Sequence, residues 1–519
     1  MKRTLLYGTI AAVALFLAAC QKKETEPDEY VIPQMDLKLT SFGFSSSDNK
    51  ILGGTDAVGV VGTDTINVDC PGVTTIISLI PSFEGTFKKA TIDGAVVTSG
   101  SSTVNFSGGK DIVLYGNTDK QTRTYHINVR HLNLIPRVIL RTTSEITSRT
   151  ETVPATIKID NCPEFGSIDA TGKARGRGNA TFLSYPKKSY KFKLDEAQSV
   201  CGFHENRDWV LLAEYCDKSL MRTTYMNALS RAAGCEWTPS STHVDLYLNG
   251  SYNGTYLLTE QVERAKSKVN VEDDGFIIED DNYYSWEPFS FPTTFGRRYT
   301  FKYPSTENGD IVYHDENYYY MKNYMIALEA SLVADNFKDP ENGYRKYIDV
   351  PSFARWFLVM EILSCQDPNY FYALPTKGAK LKMYPCWDAE WTLGNAYAGS
   401  SGWTSLPANF EKKELNINRK YFPYLFKDPY FVEQTYLLWQ EMKKNLDDVR
   451  SEVAAEVENV RLSQAENFKR WDILSKQVSV EQIVLGSWEA EVKYASDWFE
   501  RRLVWFDSYM QDLYDKSRQ

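Results

Sequence analysis

LKMYPCWDAEWTLG, residues 381–394, sets two carboxylates, Asp388 and Glu390, two positions apart inside an otherwise apolar run. Read as a strand entering a turn, its alternation puts Cys386, Asp388 and Glu390 on one face. Trp387, Ala389 and Trp391 lie on the other face, against a core. An unpaired carboxylate beside a core is costly, so two on one face call for a compensating cation. Arginine or lysine partners would supply it, and so would a divalent metal holding a polyphosphate.

A second acidic stretch lies about twenty residues upstream. VPSFARWFLVMEILS (350–364) reads as a helix with Pro351 in its first turn, and it runs into LSCQDPNYFYA (363–373). Asp367 and Asn369 there precede a strand. Asp-Pro is also an ordinary turn starter. An Asp and an Asn on a loop, followed by an Asp at a strand end, is the arrangement phosphoryl transfer uses. One Asp orients the attacking hydroxyl, the Asn helps bind metal, and the later Asp holds metal on the phosphates.

TGKARGRGNATFLSYPKKSYKFKL (171–194) carries Lys173, Arg175, Arg177, Lys187, Lys188, Lys191 and Lys193 and no acid. In SYKFKL, Lys191 and Lys193 share a face with Ser189, while Tyr190, Phe192 and Leu194 face a core. Gly176 and Gly178 would let backbone bend and approach a ligand. Basic side chains beside such a loop suit a phosphate. A lysine-protected edge strand is an equally natural reading. Thr181 replaces the third glycine of GxGxxG, and there is no GxxxxGK[ST].

Five segments taken in order resemble the spore-coat protein H (CotH) kinase family. They are RGRGN, YPKKSYKFKL, DWVLLAEYCDKSLMR (208–222), YLNGSYNGTYLLTEQVE (247–263) and LKMYPCWDAEWTLGN. The resemblance runs from about residue 136 to the C-terminal helices. It implies an α+β, atypical protein-kinase-like domain that transfers phosphate from ATP to serines of secreted or surface proteins, with Mg²⁺ or Mn²⁺. By that resemblance Asp367 is the catalytic acid. Asp388 is the metal-binding acid, with Asn369 and Glu390 beside it. Glu390 stands where a second Asp is usual. Lys191 is the phosphate-contacting lysine, with Lys188 and Lys193 as rivals, and Glu260 is the acid that pairs with it. Arg177 and Asn179 line the nucleotide pocket, and Arg222 is structural.

The rest of the chain sets the context. Its 519 residues call for two or three domains. A net charge of −10 argues against a nucleic-acid partner and against electrostatic adhesion to an anionic membrane. Residues 1–19 read as a secretory signal too short to span a bilayer, and Leu17-Ala18-Ala19-Cys20 resembles a lipobox. That implies a lipid on Cys20 and a tether over 20–35. It places the protein outside the cytoplasm, at the outer membrane or surface of a Gram-negative bacterium. Short alternating runs over 36–132, among them TTIISLI (74–80), DIVLYG and TYHINVR, predict a small all-β, Ig-like sandwich acting as a spacer.

Within the kinase-like region, assigned to 136–519, DKSLMRTTYMNALSRAAG (217–234) predicts a helix capped by Asp217 and ended by Gly234. HVDLYLNGSYNGTYLLTEQV predicts a hairpin turning at Asn249-Gly250, and helices dominate after 421. Seven cysteines follow Cys20 with no CxxC, which disfavours zinc and suggests mostly buried single thiols. The functional expectation is a tethered protein kinase acting on an extracytoplasmic protein. A non-catalytic adhesin or glycan or protein binder on the same fold is the alternative, and hydrolysis of a phosphate ester ranks third.

Overall fold

The computed structural model describes residues 32–519 apart from 53–55, 72–77, 107–108, 133–134, 161, 163–164, 288, 306–314, 396–408, 480 and 482. The signal segment, Cys20 and most of the tether lie outside the described residues, as does most of TTIISLI. The chain divides into two compact units, Met1–His131 and Leu132–Gln519.

The first unit is all β. Its strands are β1 (Lys38–Phe44), β2 (Ala57–Val61), β3 (Thr65–Pro71), β4 (Ser82–Thr86), β5 (Lys89–Ile92), β6 (Ala95–Val96), β7 (Lys110–Tyr115) and β8 (Thr122–Leu132). They join in the order β4-β1-β2-β3-β8-β7-β5-β6. Alternation decides the inside: Ile66, Val68 and Cys70 of β3 and Ile112 and Leu114 of β7 are wholly buried. They share one core with Phe42, Phe44, Phe83 and Phe106, and Phe44 meets Phe106 edge-on with centroids 5.0 Å apart.

The second unit begins with a closed barrel. Its strands are β9 (Arg137–Thr142), β10 (Val153–Asp160), β11 (Ile168–Arg177), β12 (Ser189–Gln198), β13 (Asn206–Leu212), β14 (Ser241–Leu248) and β15 (Ser251–Glu260). The order is β10-β11-β12-β13-β15-β14-β9, and β9 closes the ring by pairing with β10 and, in parallel, with β14. Val138, Ile157, Phe192, Trp209, Leu211, Val244 and Tyr256 fill its interior. The β14–β15 turn forms as expected, with φ of 50° at Asn249 and 87° at Gly250, the pair of positive angles a two-residue turn requires.

Short α1 (Ala180–Leu183) joins β11 to β12, and α2 (Arg222–Ala232) follows β13. The α2 helix starts five residues later than expected. Asp217 does not cap it but accepts the backbone N–H groups of Ser219 and Arg222 in a preceding turn and pairs with the buried Arg222 guanidinium. Gly234, at φ 71°, follows its C-terminus.

A five-stranded sheet follows: β16 (Phe276–Asp280), β17 (Ser290–Pro292), β18 (Arg298–Tyr303), β19 (Tyr370–Leu374) and β20 (Lys382–Met383), in the order β17-β18-β16-β19-β20. Helices α3 (Glu316–Val333) and α4 (Val350–Ile362) come between β18 and β19. Asp349 caps α4 by accepting the Ser352 N–H at 2.9 Å, with Pro351 in the first turn as the sequence indicates.

The C-terminal part is helical: α5 (Phe422–Leu425), α6 (Pro429–Met442), α7 (Leu446–Val460), α8 (Ser463–Arg470) and α9 (Trp488–Ser517). It packs on α4 through a large aromatic core that includes Trp356, Phe357, Phe422, Trp439 and Trp498. Arg502 of α9 and Glu361 of α4 form a fully buried ion pair at 2.9 Å. Glu361 also accepts the Leu415 N–H at 2.8 Å, and Arg502 donates to the Lys413 carbonyl at 2.7 Å, so neither charge is left bare. Among the described residues no helix is long and apolar enough to cross a membrane.

Candidate active site

A cleft of about 1050 Å³ opens along the barrel wall, with β16, β18 and the loops after α4 and β20 on its other side. It collects Arg177, Asn179, Lys191, Lys193, Asp367, Asn369, Asp388 and Glu390, eight residues scattered over more than two hundred positions of sequence.

The basic wall follows from register. Arg175 pairs with Lys191, Lys173 with Lys193 and Arg177 with Ser189, so β11 and β12 present their cations on one outer face. Tyr190, Phe192 and Leu194 point into the barrel, as alternation requires. Since β12 lies between β11 and β13 in a closed ring, it is not an edge, and the edge-protection reading of its lysines falls away.

The acid on this wall is Asp208 of β13, which lies 2.8 Å from Lys191 and 3.2 Å from Lys193. Burial works to raise its pKa, yet the two lysines hold the carboxyl below its usual range. The expected Lys191–Glu260 pairing is therefore corrected. Glu260 stands opposite Trp209 in register, on the face that Trp209 turns into the barrel core. Its carboxylate accepts the Ser240 N–H at 2.8 Å, while its neighbours Thr259 and Gln261 line the cleft. A period of two decides this: Glu260 is one residue out of step with the cleft. Lys188 is also outside it, with its ammonium 5.6 Å above the Phe182 ring.

Gly178 sits at φ 89°, and a Cβ there would come within 2.0 Å of the Thr181 hydroxyl, so the turn that carries Asn179 needs glycine. Gly176 has a different reason. A Cβ there would strike the Phe182 ring at 2.1 Å, so its close neighbour is α1 rather than a ligand. Asn179 accepts from Arg149 at 2.5 Å, and the Arg177 guanidinium lies 5.2 Å over the Trp387 ring.

The acidic side is less regular than the sequence implied. Only Lys382–Met383 of this stretch are strand, and the chain has left regular structure before it reaches Asp388, which has φ 72°. That left-handed residue breaks the alternation and separates Cys386 from Asp388 and Glu390, which both line the cleft. Cys386 is buried in the core, whereas Asp388 is open to the cleft. The loop is held from beneath. Cys365 donates to the Asp388 carbonyl at 3.3 Å, Gln366 N–H to the Trp391 carbonyl at 3.0 Å, and the Asn395 amide to the Glu390 carbonyl at 2.7 Å.

Asp388 faces Asp367, Arg177 and Glu279. Loss of hydration in the crowded cleft, together with the charges of Asp367 and Glu279, pushes its pKa up to about 7 against the pull of Arg177. Burial likewise raises Asp367, opposed by Arg419. Asn369 donates to Glu279 at 2.6 Å, and Lys302 lies 3.0 Å from that carboxylate. Glu390 lines the same cleft. Its pKa is pushed up to about 8 by burial and by Asp388, Glu214 and Asp217. It shares the back of the cleft with Glu214, which ion-pairs with the buried His243 at 3.0 Å.

Oxygen-only donors with excess negative charge suit a hard divalent cation. Among the described residues no three His, Cys, Asp or Glu side chains form a ready cation cage. Asp367, Asn369 and Asp388 are oxygen donors of the cleft that could hold such a cation only with further oxygens from a ligand or water. Sequence reasoning did not find Asp208, Glu279 or Lys302. Glu279 and Lys302 sit on strands whose pairing with β19 and with each other cannot be inferred from local pattern. Asp208 was within reach, as the only carboxylate in the matched DWVLL run beside the basic strand.

The sequence model of a family described as CotH kinase protein matches residues 174–506. The chain belongs to the CotH kinase family. Membership is consistent with a kinase-type function, and the matched span covers the basic wall, the acidic loops and the helical part. A solved structure of a Bacteroides thetaiotaomicron protein, provisionally described as a glycoside hydrolase, is 14% identical with a TM-score of 0.14. The similarity covers 36% of this chain and only 54% of that one, and it carries no argument about fold or function. No curated protein matches the chain.

Proposed function

We propose that the chain is an ATP- and divalent-metal-dependent protein kinase that phosphorylates serine on an extracytoplasmic protein. One observation carries this reading: a basic wall (Arg177, Lys191, Lys193) and an acidic loop pair (Asp367, Asp388) line the same cleft. In this reading Lys191 and Lys193, kept in place by Asp208, neutralise phosphates. Asp388, with Asn369 at its side, would hold Mg²⁺ or Mn²⁺. Asp367 accepts the proton of the serine hydroxyl and orients it for in-line attack. The bound metal–ATP supplies the transferable phosphoryl group and neutralises charge developing on it.

The front β unit is read as an Ig-like spacer and Cys20 as the lipid anchor at an outer membrane. The test is thermal stability of the soluble chain with ATP, with Mg²⁺ or Mn²⁺, and with both. A rise only with both, lost in Asp388→Asn, followed by serine phosphorylation in envelope extracts, is the expected outcome. No shift under any combination would refute it.

The position of Glu390 supports a second reading, a non-catalytic binding protein on the kinase fold. Its carboxylate neighbours Glu214 and Asp217 as well as Asp388. A partner bound without nucleotide or metal, and indifferent to Asp388→Asn, would favour it.

A further inference from the structure

The thiols of Cys162 and Cys201 lie 3.4 Å apart, sulfur to sulfur, although thirty-nine positions separate them in sequence. Each is fixed by its own turn. The Cys162 carbonyl accepts the N–H groups of Phe165 and Gly166 at 3.0 and 2.9 Å. Cys201 lies in a turn closed by the Phe203 N–H on the Val200 carbonyl at 2.9 Å and by the Ser199 hydroxyl on the Phe203 carbonyl at 2.7 Å. The two turns are seated against each other. Gly202, at φ 78°, lets the Phe165 ring come so close that a Cβ there would meet it at 2.4 Å. The contact is therefore held by three independent features and is not a chance approach of two mobile side chains.

We infer that Cys162 and Cys201 are a disulfide-forming pair. Cys162 precedes β11 and Cys201 follows β12, so the bond would close a covalent loop around the entire basic hairpin that carries Arg175, Arg177, Lys191 and Lys193. Cys162 is buried and Cys201 half-buried, so Cys201 is where an oxidant reaches the pair. The oxidant is a disulfide, either oxidised glutathione or a disulfide-bonded oxidoreductase. The Cys201 thiolate attacks one of its sulfurs and expels a thiolate. Cys162, deprotonated, then attacks the mixed disulfide and expels the second thiolate. Two cysteine protons and two electrons leave the protein, one S–S bond is made, and one is broken in the oxidant. In the cell the reaction rests on the proposed export, because the cytoplasm keeps thiols reduced. The chemistry of the pair does not rest on it.

The test uses the full chain, purified reduced, and equilibrated at pH 8 in oxidised and reduced glutathione. It is then alkylated without reduction and digested. The expected result is one peptide pair joined through Cys162 and Cys201, lighter by two hydrogens than the sum of its parts and lost after reduction. In Cys201→Ser the joined species is lost and Cys162 is recovered alkylated or glutathionylated. Recovery of both residues as alkylated thiols or as separate glutathione adducts in the wild type would overturn the pairing, as would preferential linkage of either to another cysteine. The wild-type peptide map decides alone, so a serine variant that fails to fold does not matter. The same map on protein recovered from the native envelope reads export separately: free thiols there, with the bond formed in glutathione, would refute export and leave the pair intact.

Discussion

Replacing Asp388 with asparagine should stabilise the metal-free protein and abolish its response to metal–nucleotide. Asparagine is nearly isosteric and tolerates the φ of 72°, so the change removes charge with little strain. The carboxyl pKa is raised from its usual 3.8 to about 7, so ionising it in the folded state is unfavourable. At about 1.36 kcal/mol per pKa unit the full cost would approach ~4 kcal/mol. Asp388 is open to cleft water, which screens that cost, and about 1–2 kcal/mol is the expected remainder. The sign follows from the direction of the shift. Below about pH 4 the carboxyl is protonated both folded and unfolded, and the charge costs nothing. Between pH 4 and about 7 the unfolded chain ionises first, and stability is lost until the folded carboxyl has also ionised.

Urea denaturation of wild type and Asp388→Asn, without metal, should therefore give equal stabilities near pH 4 and a more stable variant at pH 8. Adding Mn²⁺ with ATP at pH 8 should reverse the order, since only the wild type gains binding energy. A variant less stable than wild type at pH 8 without metal, or a difference independent of pH, would refute the reasoning.

Three further outcomes test the rest of the structure. Lys191→Met should reduce the nucleotide-dependent rise in Tm more than Lys188→Met does, because only Lys191 lines the cleft; equal losses in a side-by-side melt would refute that placement. His243→Gln should destabilise by about 3–5 kcal/mol in urea at pH 7, because it removes the ion-pair partner of the buried Glu214. Glu214 and Glu456 raise the His243 pKa to about 10, so the imidazolium's contribution is complete below about pH 6.5 and the deficit should narrow as pH approaches 10. Gly178→Ala should cost about 1–2 kcal/mol through its left-handed backbone and weaken ATP binding by moving Asn179, which calorimetry would read directly.

Local pattern carried the barrel strands well. Alternation in SYKFKL put Lys191 and Lys193 on one face, and Asn249-Gly250 located the β14–β15 turn, because both are decided within a few residues. Where a single dihedral or a long-range partner decides, local pattern failed. The φ of Asp388 ends the alternation that would have aligned it with Cys386. Glu260 looks as suitable as Asp208 for a lysine partner until register assigns it to the other side of the sheet. Asp367 and Asn369 reach the cleft from a loop between a capped helix and a strand, a boundary written locally. Glu279 and Lys302 were missed because their part in the cleft exists only once β16 has paired with β18 and β19.

The closed ring of seven strands has a bearing on how such a site can change over time. The cations sit on a wall whose every strand is hydrogen-bonded on both sides, so none can shift without opening the ring. Asp367 and Asp388 sit on loops anchored by a handful of hydrogen bonds, which can lengthen or re-aim without disturbing that wall. Insertions and deletions are therefore easier to absorb in the acidic loops than in the basic wall. A lineage built on this plan would vary the length and aim of its acidic loops long before it rearranged its basic wall.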